Sequence, residues 1–371
     1  MPTLPAMRPR TGARLHDGRP MMADNSSRAN WLAPCAVVGV LLTSASPMAR
    51  AGDAAREWLQ RMNQALATRN YDGTFFHLSD GRVETMRIVH RVLGGRVTER
   101  LMSLDGSGRE FVRNGDALTC YLPDLHTVLV EPREEHAPFL GSLPQFADDV
   151  SGFYRIESQG EAHVLGHAAQ KILVTPKDQY RFGYRLWLDE NTAMPLKTQL
   201  CDSRGQVIEQ ILFARLDMPD SIPDSDLAPG VHTQGMRWVR QGPARDSASP
   251  ALSAYRASEL PPGFHLTISG AQTLGGANVP AAHLVYSDGL ATVSVFVEAQ
   301  APPRQEGGAD GKPSPPAEPP MEGLARVGSG FAFSTVIQGH QVTAVGEVPA
   351  QTVETIAHSV RSFSSGDLPP H

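Results

Sequence analysis

The sequence is short of most features that announce chemistry. Aromatic residues make up 6% of the 371 residues, and cysteine occurs three times. Basic residues do not dominate: 33 Lys and Arg stand against 39 Asp and Glu, a formal net charge of -6. No general positive field is available to attract a polyanion, so although local basic clusters can occur, no nucleic-acid partner is expected. No G-x-S-x-G elbow is present, which removes the usual hydrolase nucleophile. Neither H-E-x-x-H nor a paired C-x-x-C occurs, so neither zinc pattern is met. Gly94-Gly95 and Gly275-Gly276 lead into no helix and precede no Lys-Ser or Lys-Thr, so they cradle no phosphate. These absences argue for a protein that is not an enzyme and carries no cofactor or metal.

Glycine (34) and proline (30) are plentiful. With so few aromatics, this balance favours sheets joined by hairpins over a helical bundle. The length suits two domains of ordinary size.

The N-terminus reads as an address. Residues 1–20 are rich in Arg, Pro and Gly, and Met21 or Met22 is a plausible true start. Arg28, an apolar run over 31–42 and then Ala49-Arg50-Ala51 follow the layout of a secretory signal peptide. The apolar run is short for a membrane span, which needs about 20 residues. Cleavage after Ala51 is expected, so residues 1–51 leave and Cys35 leaves with them. Cys120 and Cys201 remain, both in strand-like runs. Export permits them to pair, and two buried free thiols are the equal alternative.

Over 53–67 the apolar residues Ala55, Trp58, Leu59, Met62, Ala65 and Leu66 fall on one helix face, with Asp53 as the expected N-cap. Strand-like runs follow, separated by Asp80-Gly81, Gly94-Gly95, Asp105-Gly106 and Asn114-Gly115. Such pairs supply the positive φ angles of tight hairpins. After a Pro-containing loop over 131–146, pairing resumes up to about residue 216. The fold class is therefore mainly β (α+β): a large, curved antiparallel sheet with one helix, over 52–218. Residues 219–232 have the composition of a linker, where movement between domains would be absorbed. A smaller antiparallel sheet-and-helix domain is expected over 233–366, beginning with a strand at 237–240 and ending in a helix at 351–360. The insert 301–322 is almost all Pro, Gly, Glu and small polar residues, and is expected to be disordered.

Candidate site residues are few. His77 and His90 could be neighbours on adjacent strands, though a strand histidine is more often a packing residue. Glu84, Glu99 and Glu110 alternate with arginines and read as cross-strand ion pairs on a solvated face. A curved sheet under one helix leaves room for an apolar concavity, with Phe75, Phe111, Tyr121, Leu122 and Trp187 as candidate liners of a lipid cavity. For any one of them plain core is the better reading; the cavity is an expectation about the set.

Segments distributed along the chain, taken in order, carry a resemblance. They include Trp58-Leu59-Gln60-Arg61-Met62, Asn70-Tyr71-Asp72-Gly73-Thr74-Phe75 and Thr119-Cys120-Tyr121-Leu122-Pro123-Asp124. Further along stand Pro176-Lys177-Asp178-Gln179-Tyr180-Arg181-Phe182-Gly183-Tyr184, Leu260-Pro261-Pro262-Gly263-Phe264, Tyr286-Ser287-Asp288-Gly289-Leu290 and Val345-Gly346-Glu347-Val348-Pro349. Together they resemble the RseB/MucB family of periplasmic sigma-E regulators, while residues 1–20 and the Pro-rich insert depart from the pattern. The resemblance implies a first domain like the lipoprotein carriers LolA and LolB, an open barrel with a helix. It implies a periplasmic location and a partner, the periplasmic domain of an RseA/MucA-like anti-sigma factor. Bound there, such a protein blocks the first protease cut and represses the sigma-E envelope stress response. Lipid or mislocalised lipoprotein is the implied releasing ligand; a homo-oligomer is left open. Candidate partner-binding residues are the exposed turn Ser287, Asp288 and Gly289, and Gly346, Glu347 and Pro349 before the last helix. Ordinary hairpin and helix-start chemistry explains the same residues equally well. The rival reading is a periplasmic lipid or lipoprotein carrier or chaperone.

Overall fold

The computed structural model describes residues 47–115, 117–132, 146, 150–240, 255–273, 280–298 and 322–363. The expected signal segment falls outside these residues up to position 46, as does the insert 301–322 up to its last residue.

The first helix, α1 (Pro47–Thr68), contains the stretch expected from the apolar spacing. Ala55, Leu59 and Met62 follow one another at helical intervals and are all buried. Burying a Leu or Met side chain in this way contributes about 1.5–3 kcal/mol. Asp53 is not the cap, because the helix begins earlier; its carboxylate instead pairs with Arg56 one turn on, at 2.8 Å. Among the described residues no helix is long and apolar enough to cross a membrane.

Eleven strands follow. They are β1 (Tyr71–Ser79), β2 (Arg82–Leu93), β3 (Arg96–Ser103), β4 (Glu110–Asn114), β5 (Ala117–Leu122) and β6 (Thr127–Pro132), then β7 (Tyr154–Val164), β8 (His167–Pro176), β9 (Gly183–Asp189), β10 (Pro195–Cys201) and β11 (Val207–Asp217). Asp80-Gly81 and Gly94-Gly95 take positive φ at both positions, as the tightest hairpins require. The chain forms two meanders, β1–β6 and β7–β11, fused where β1 pairs with β11. The two edges do not meet, so the sheet is open. One face lies under α1 and is largely apolar, with Ile172, Val174, Leu186 and Leu188 in one cluster and Phe75, Ile88, Leu101 and Phe213 in the next.

The linker is not slack. Its short helix α2 (Asp224–Leu227) lies on the outer face of β2 and β3. Ile222 and Leu227 pack on Val89 and Met102. Arg91 donates to the Ile222 carbonyl at 3.1 Å and pairs with Asp224 at 2.6 Å. Arg100 holds Glu110 through two bonds of 3.0 Å and also donates to the Asp226 carbonyl, while Glu110 accepts from the Gly230 amide. The next strand, β12 (Arg237–Arg240), is the one expected to open the smaller domain. It joins the first sheet, pairing in parallel with β6 at the edge.

The second sheet runs in the order β14-β15-β16-β19-β18-β17, from β14 (His265–Thr273), β15 (Pro280–Ser287), β16 (Thr292–Glu298), β17 (Gly323–Val327), β18 (Gly330–Ile337) and β19 (His340–Gly346). β13 (Tyr255–Ala257) and β20 (Val360–Ser362) form a separate small ladder. On β16 the buried residues Val293, Val295 and Val297 alternate with outward ones, and they pack with Val353, Ile356 and Ala357 of α3 (Ala350–His358). Cys120 and Cys201 are buried thiols. They cannot be neighbours along the sheet, because β4, β3, β2, β1 and β11 stand between their strands.

Candidate functional site

The five candidate cavity liners do not share one surface. Phe75 is fully buried in the core beneath α1, and Phe111 packs against the same cluster. Cys120 is the cross-strand partner of Phe111, so strand alternation puts Leu122 on that face and Tyr121 on the other. Trp187 also lies on the far face. It packs with Val164, Ala169 and Leu196, and the ammonium groups of Lys197 and Lys171 sit 4.7 and 5.4 Å from its ring. Beside α1, the space among Leu59, Phe146, Val150 and Ile156 is about 20 Å³, room for one water.

The carboxylate reading needs correction. Glu84 does pair at the surface, with Arg109. Glu99 and Glu110 are buried instead. Glu99 sits in a row running Tyr71, His90, Glu99, Arg113 across four adjacent strands on the α1 side. His90 Nδ1 meets Glu99 at 2.5 Å, Arg113 meets it at 3.0 Å, and Tyr71 stacks on His90 with ring centroids 4.5 Å apart. The row neutralises itself, which is how charges persist in a core. His77 lies at the other end of the β1–β2 pair, opposite Glu84, so the two histidines are not neighbours.

The residues with most to say lie where the two sheets meet. Asp288 is not exposed: its side chain is 0% accessible, as is that of Arg181 in the first domain's loop between β8 and β9, and the two pair at 3.0 Å. Asp288 works in two directions. Its Oδ1 accepts from the amides of Leu290 and Ala291, shaping the turn, while Oδ2 accepts from the Tyr154 hydroxyl at 3.0 Å and faces Arg181. Ser287 and Gly289 complete the turn, with the Gly289 amide donating to Ser287 Oγ. Arg181 also pairs with Asp178 at 3.1 Å and donates to the Pro262 carbonyl at 2.5 Å. Its contacts with the two carboxylates are charge contacts, off the line of the N–H bonds. Phe153, Tyr154 and Phe264 surround its guanidinium, with ring centroids about 5 Å away. Gly263 has φ +86°, and a Cβ there would run into the Phe153 ring. Thr352 of α3 donates to the Tyr180 carbonyl at 2.7 Å, a further tie between the domains. Burial and then the Asp288 charge push the Tyr154 hydroxyl well above its ordinary range.

Glu347 stands at a second point of this junction. Ser329 donates to it at 2.5 Å. Burial pushes its carboxyl up to about 7; the Ser329 bond works against that, and the nearby Glu209 charge adds to it. Glu209 is held by His77 at 2.8 Å, and that bond raises the imidazole's affinity for its proton. Phe331 and Leu290 of the second domain pack against the first domain's core, and Arg326 reaches Asp80 at 2.9 Å. Gly346 is fixed by crowding, since a Cβ would sit 2.5 Å from the Thr292 carbonyl oxygen. Pro349 precedes α3 as its N-cap in extended conformation. The six candidate partner residues thus gather at or beside the junction, and Asp288 acts from inside it. Arg181, Tyr154 and Glu209 are junction residues that reasoning from sequence missed. The one local hint was an Asp and an Arg three apart in an aromatic-rich loop, Asp178 to Tyr184.

Two sheet domains, each with its own helix, use their buried charges to hold one another. That defines a two-domain scaffold whose distinctive chemistry is at the domain junction. Residues 54–231 match the MucB/RseB N-terminal domain, and residues 249–361 match the MucB/RseB C-terminal domain. The chain belongs to the MucB/RseB family. It is 34% identical over 325 residues to the sigma factor AlgU regulatory protein MucB of Pseudomonas aeruginosa, covering 85% of this chain and 93% of that protein. It is 27% identical over 337 residues to the sigma-E factor regulatory protein RseB of Escherichia coli K12, covering 89% and 97%. The crystal structure of MucB in complex with MucA(peri) is similar with a TM-score of 0.61 at 30% identity, covering 84% of this chain and all of that one.

Proposed function

We propose that this protein is a periplasmic regulator of an envelope stress response. It binds the periplasmic part of a membrane-spanning anti-sigma factor, shields that segment from proteolysis and so keeps a sigma-E-type factor silent. The observation that carries this reading is the match, over 84% of this chain, to a MucB solved with MucA(peri), together with both family domains in order. The locked junction supports it physically. An extended segment laid across a rigid junction, beside Glu347 and Pro349, is hidden from a protease by shape alone. A lipid or lipoprotein that favours another domain arrangement would lower the population of this one and release the partner. The carrier reading is weaker, because the relatives that match over both domains are named as regulatory proteins.

The test is calorimetric titration of the chain from Gly52 with the periplasmic segment of the anti-sigma factor of the same genome. Saturable binding, with protection of the segment from its protease, is expected. Folded protein that neither binds nor protects at any salt concentration would overturn the reading.

A further inference from the structure

A groove of about 360 Å³ lies on the outer face of the first sheet, away from the domain junction. Its floor is built of cross-strand rows. Arg91, Thr98 and Asn114 are aligned across β2, β3 and β4, and Leu93 and Arg96 are paired beyond them. Val112 completes the floor, and Asp224, Leu227, Ala228 and Pro229 of the linker form the wall.

The groove carries unused capacity of one sign. Arg96 is exposed and makes no ion pair among the described residues. The Nε of Arg91 is buried without a hydrogen-bond acceptor. One carboxylate is already in place: Asp224 meets Arg91 at 2.6 Å, although its own side chain is 92% exposed. That pair shows which group the floor accepts, and a pair so open to water is readily exchanged. The other walls are apolar, and Leu93 is left 69% exposed. A bare anion would fill little of this volume and would leave Leu93 against water.

We propose that this groove docks an extended acidic peptide segment, with a carboxylate on Arg91 and Arg96 and an apolar side chain against Leu93 and Leu227. A strand advances about 3.3 Å per residue, so about three residues cross the row from Arg91 to Asn114. The incoming carboxylate competes with Asp224 for Arg91, and Asp224 belongs to the segment that ties the two domains. Occupancy of the groove therefore loosens one tie of the linker. The inference does not depend on the anti-sigma reading, because it concerns a different surface and is tested with a synthetic probe.

The probe is a fluorescein-labelled heptapeptide of alternating Asp and Leu, titrated into the chain from Gly52 and followed by anisotropy. A Lys-Leu peptide and inorganic phosphate serve as controls. Two exposed substitutions should move affinity in opposite directions. Asp224→Asn removes the competing carboxylate and tightens binding up to about fivefold, the range of an exposed ion pair. Arg96→Glu weakens it about fivefold or more. The Lys-Leu peptide should not bind. Equal affinity of both variants and the parent would overturn the proposal. So would displacement of the peptide by phosphate at low millimolar concentration, which would mark a plain anion site.

Discussion

Replacing Asp288 by Asn isolates the ion pair at the junction. The amide oxygen of Asn can still accept from Leu290 and Ala291, so the turn keeps its shape while the charge facing Arg181 is lost. Breaking one side of a buried pair costs about 3–5 kcal/mol, because the remaining charge stays buried without compensation. Here Asp178 still faces the guanidinium and is partly exposed, which places the loss near the lower end, about 3 kcal/mol. The loss should fall on the coupling between domains. Three tryptophans of the chain from Gly52, Trp58, Trp187 and Trp238, lie on α1 and strands of the first sheet, and none lies in the second. Tryptophan fluorescence therefore follows the first domain during urea unfolding, while circular dichroism follows both. The parent should show coincident transitions; in Asp288→Asn they should separate, with part of the dichroism lost first. Tyr154→Phe should cost about 1 kcal/mol alone and less in the Asp288→Asn background, since the hydroxyl and the guanidinium share one carboxylate. Unchanged midpoints with transitions still coincident would refute the reasoning.

Two further outcomes follow from the same structure. The Glu347 carboxyl is held near pH 7 in the folded protein against an ordinary 4.5, so the native state binds the extra proton between those values. Stability should be greatest below about pH 4.5 in this respect, fall as pH rises, and carry the full penalty above 7. His77 acts in the same sense: its raised affinity stabilises fully below 6.5 and is lost as pH rises through the folded value. Glu347→Gln should therefore raise the melting temperature at pH 8, by an effect on the order of 2 kcal/mol, and change little at pH 5; equal shifts at both pH values would contradict this. Cys120 and Cys201 should titrate as two thiols per chain from Gly52 in denaturant and react slowly when folded, as measured with a disulfide reagent. A value of zero in denaturant without reductant would mean that they pair.

The hairpins were legible because their signal is local. Asp80-Gly81 and Gly94-Gly95 require a backbone that glycine supplies cheaply, and the turns stand where those pairs stand. α1 was legible from its spacing, though its start was not, since residues before Asp53 also continue the helix. The faces of the charged strands were not legible. Glu99 and Glu84 sit in similar alternations of acid and arginine, and what separates them is whether partners on other strands close over them. Burial of Glu99 depends on Tyr71, His90 and Arg113 arriving from three strands, which no local window contains. Asp288 illustrates the same limit at the site. Its role in an Asp-Gly turn is readable, while its grip on Arg181 belongs to a contact between domains. The strand β12 was legible, but its place in the first sheet was not, for a related reason. Four residues carry no mark of the sheet they will join.

The fusion of the two meanders through β1 and β11 also sets an order of events as the chain becomes available to fold from its N-terminal end. β1 is the first strand to appear and its outer neighbour is the last strand of the second meander. Strands β1–β6 can pair by short hairpins as they emerge, which is fast. From then until residues 207–217 are available, β1 presents a row of unpaired amides and carbonyls flanked by Phe75 and Phe76. Such an edge templates pairing with other chains. The half-made protein is consequently most prone to aggregate along the line that later becomes the middle of its sheet. A delay between the arrival of β6 and that of β11 would lengthen that exposure more than any delay after β11.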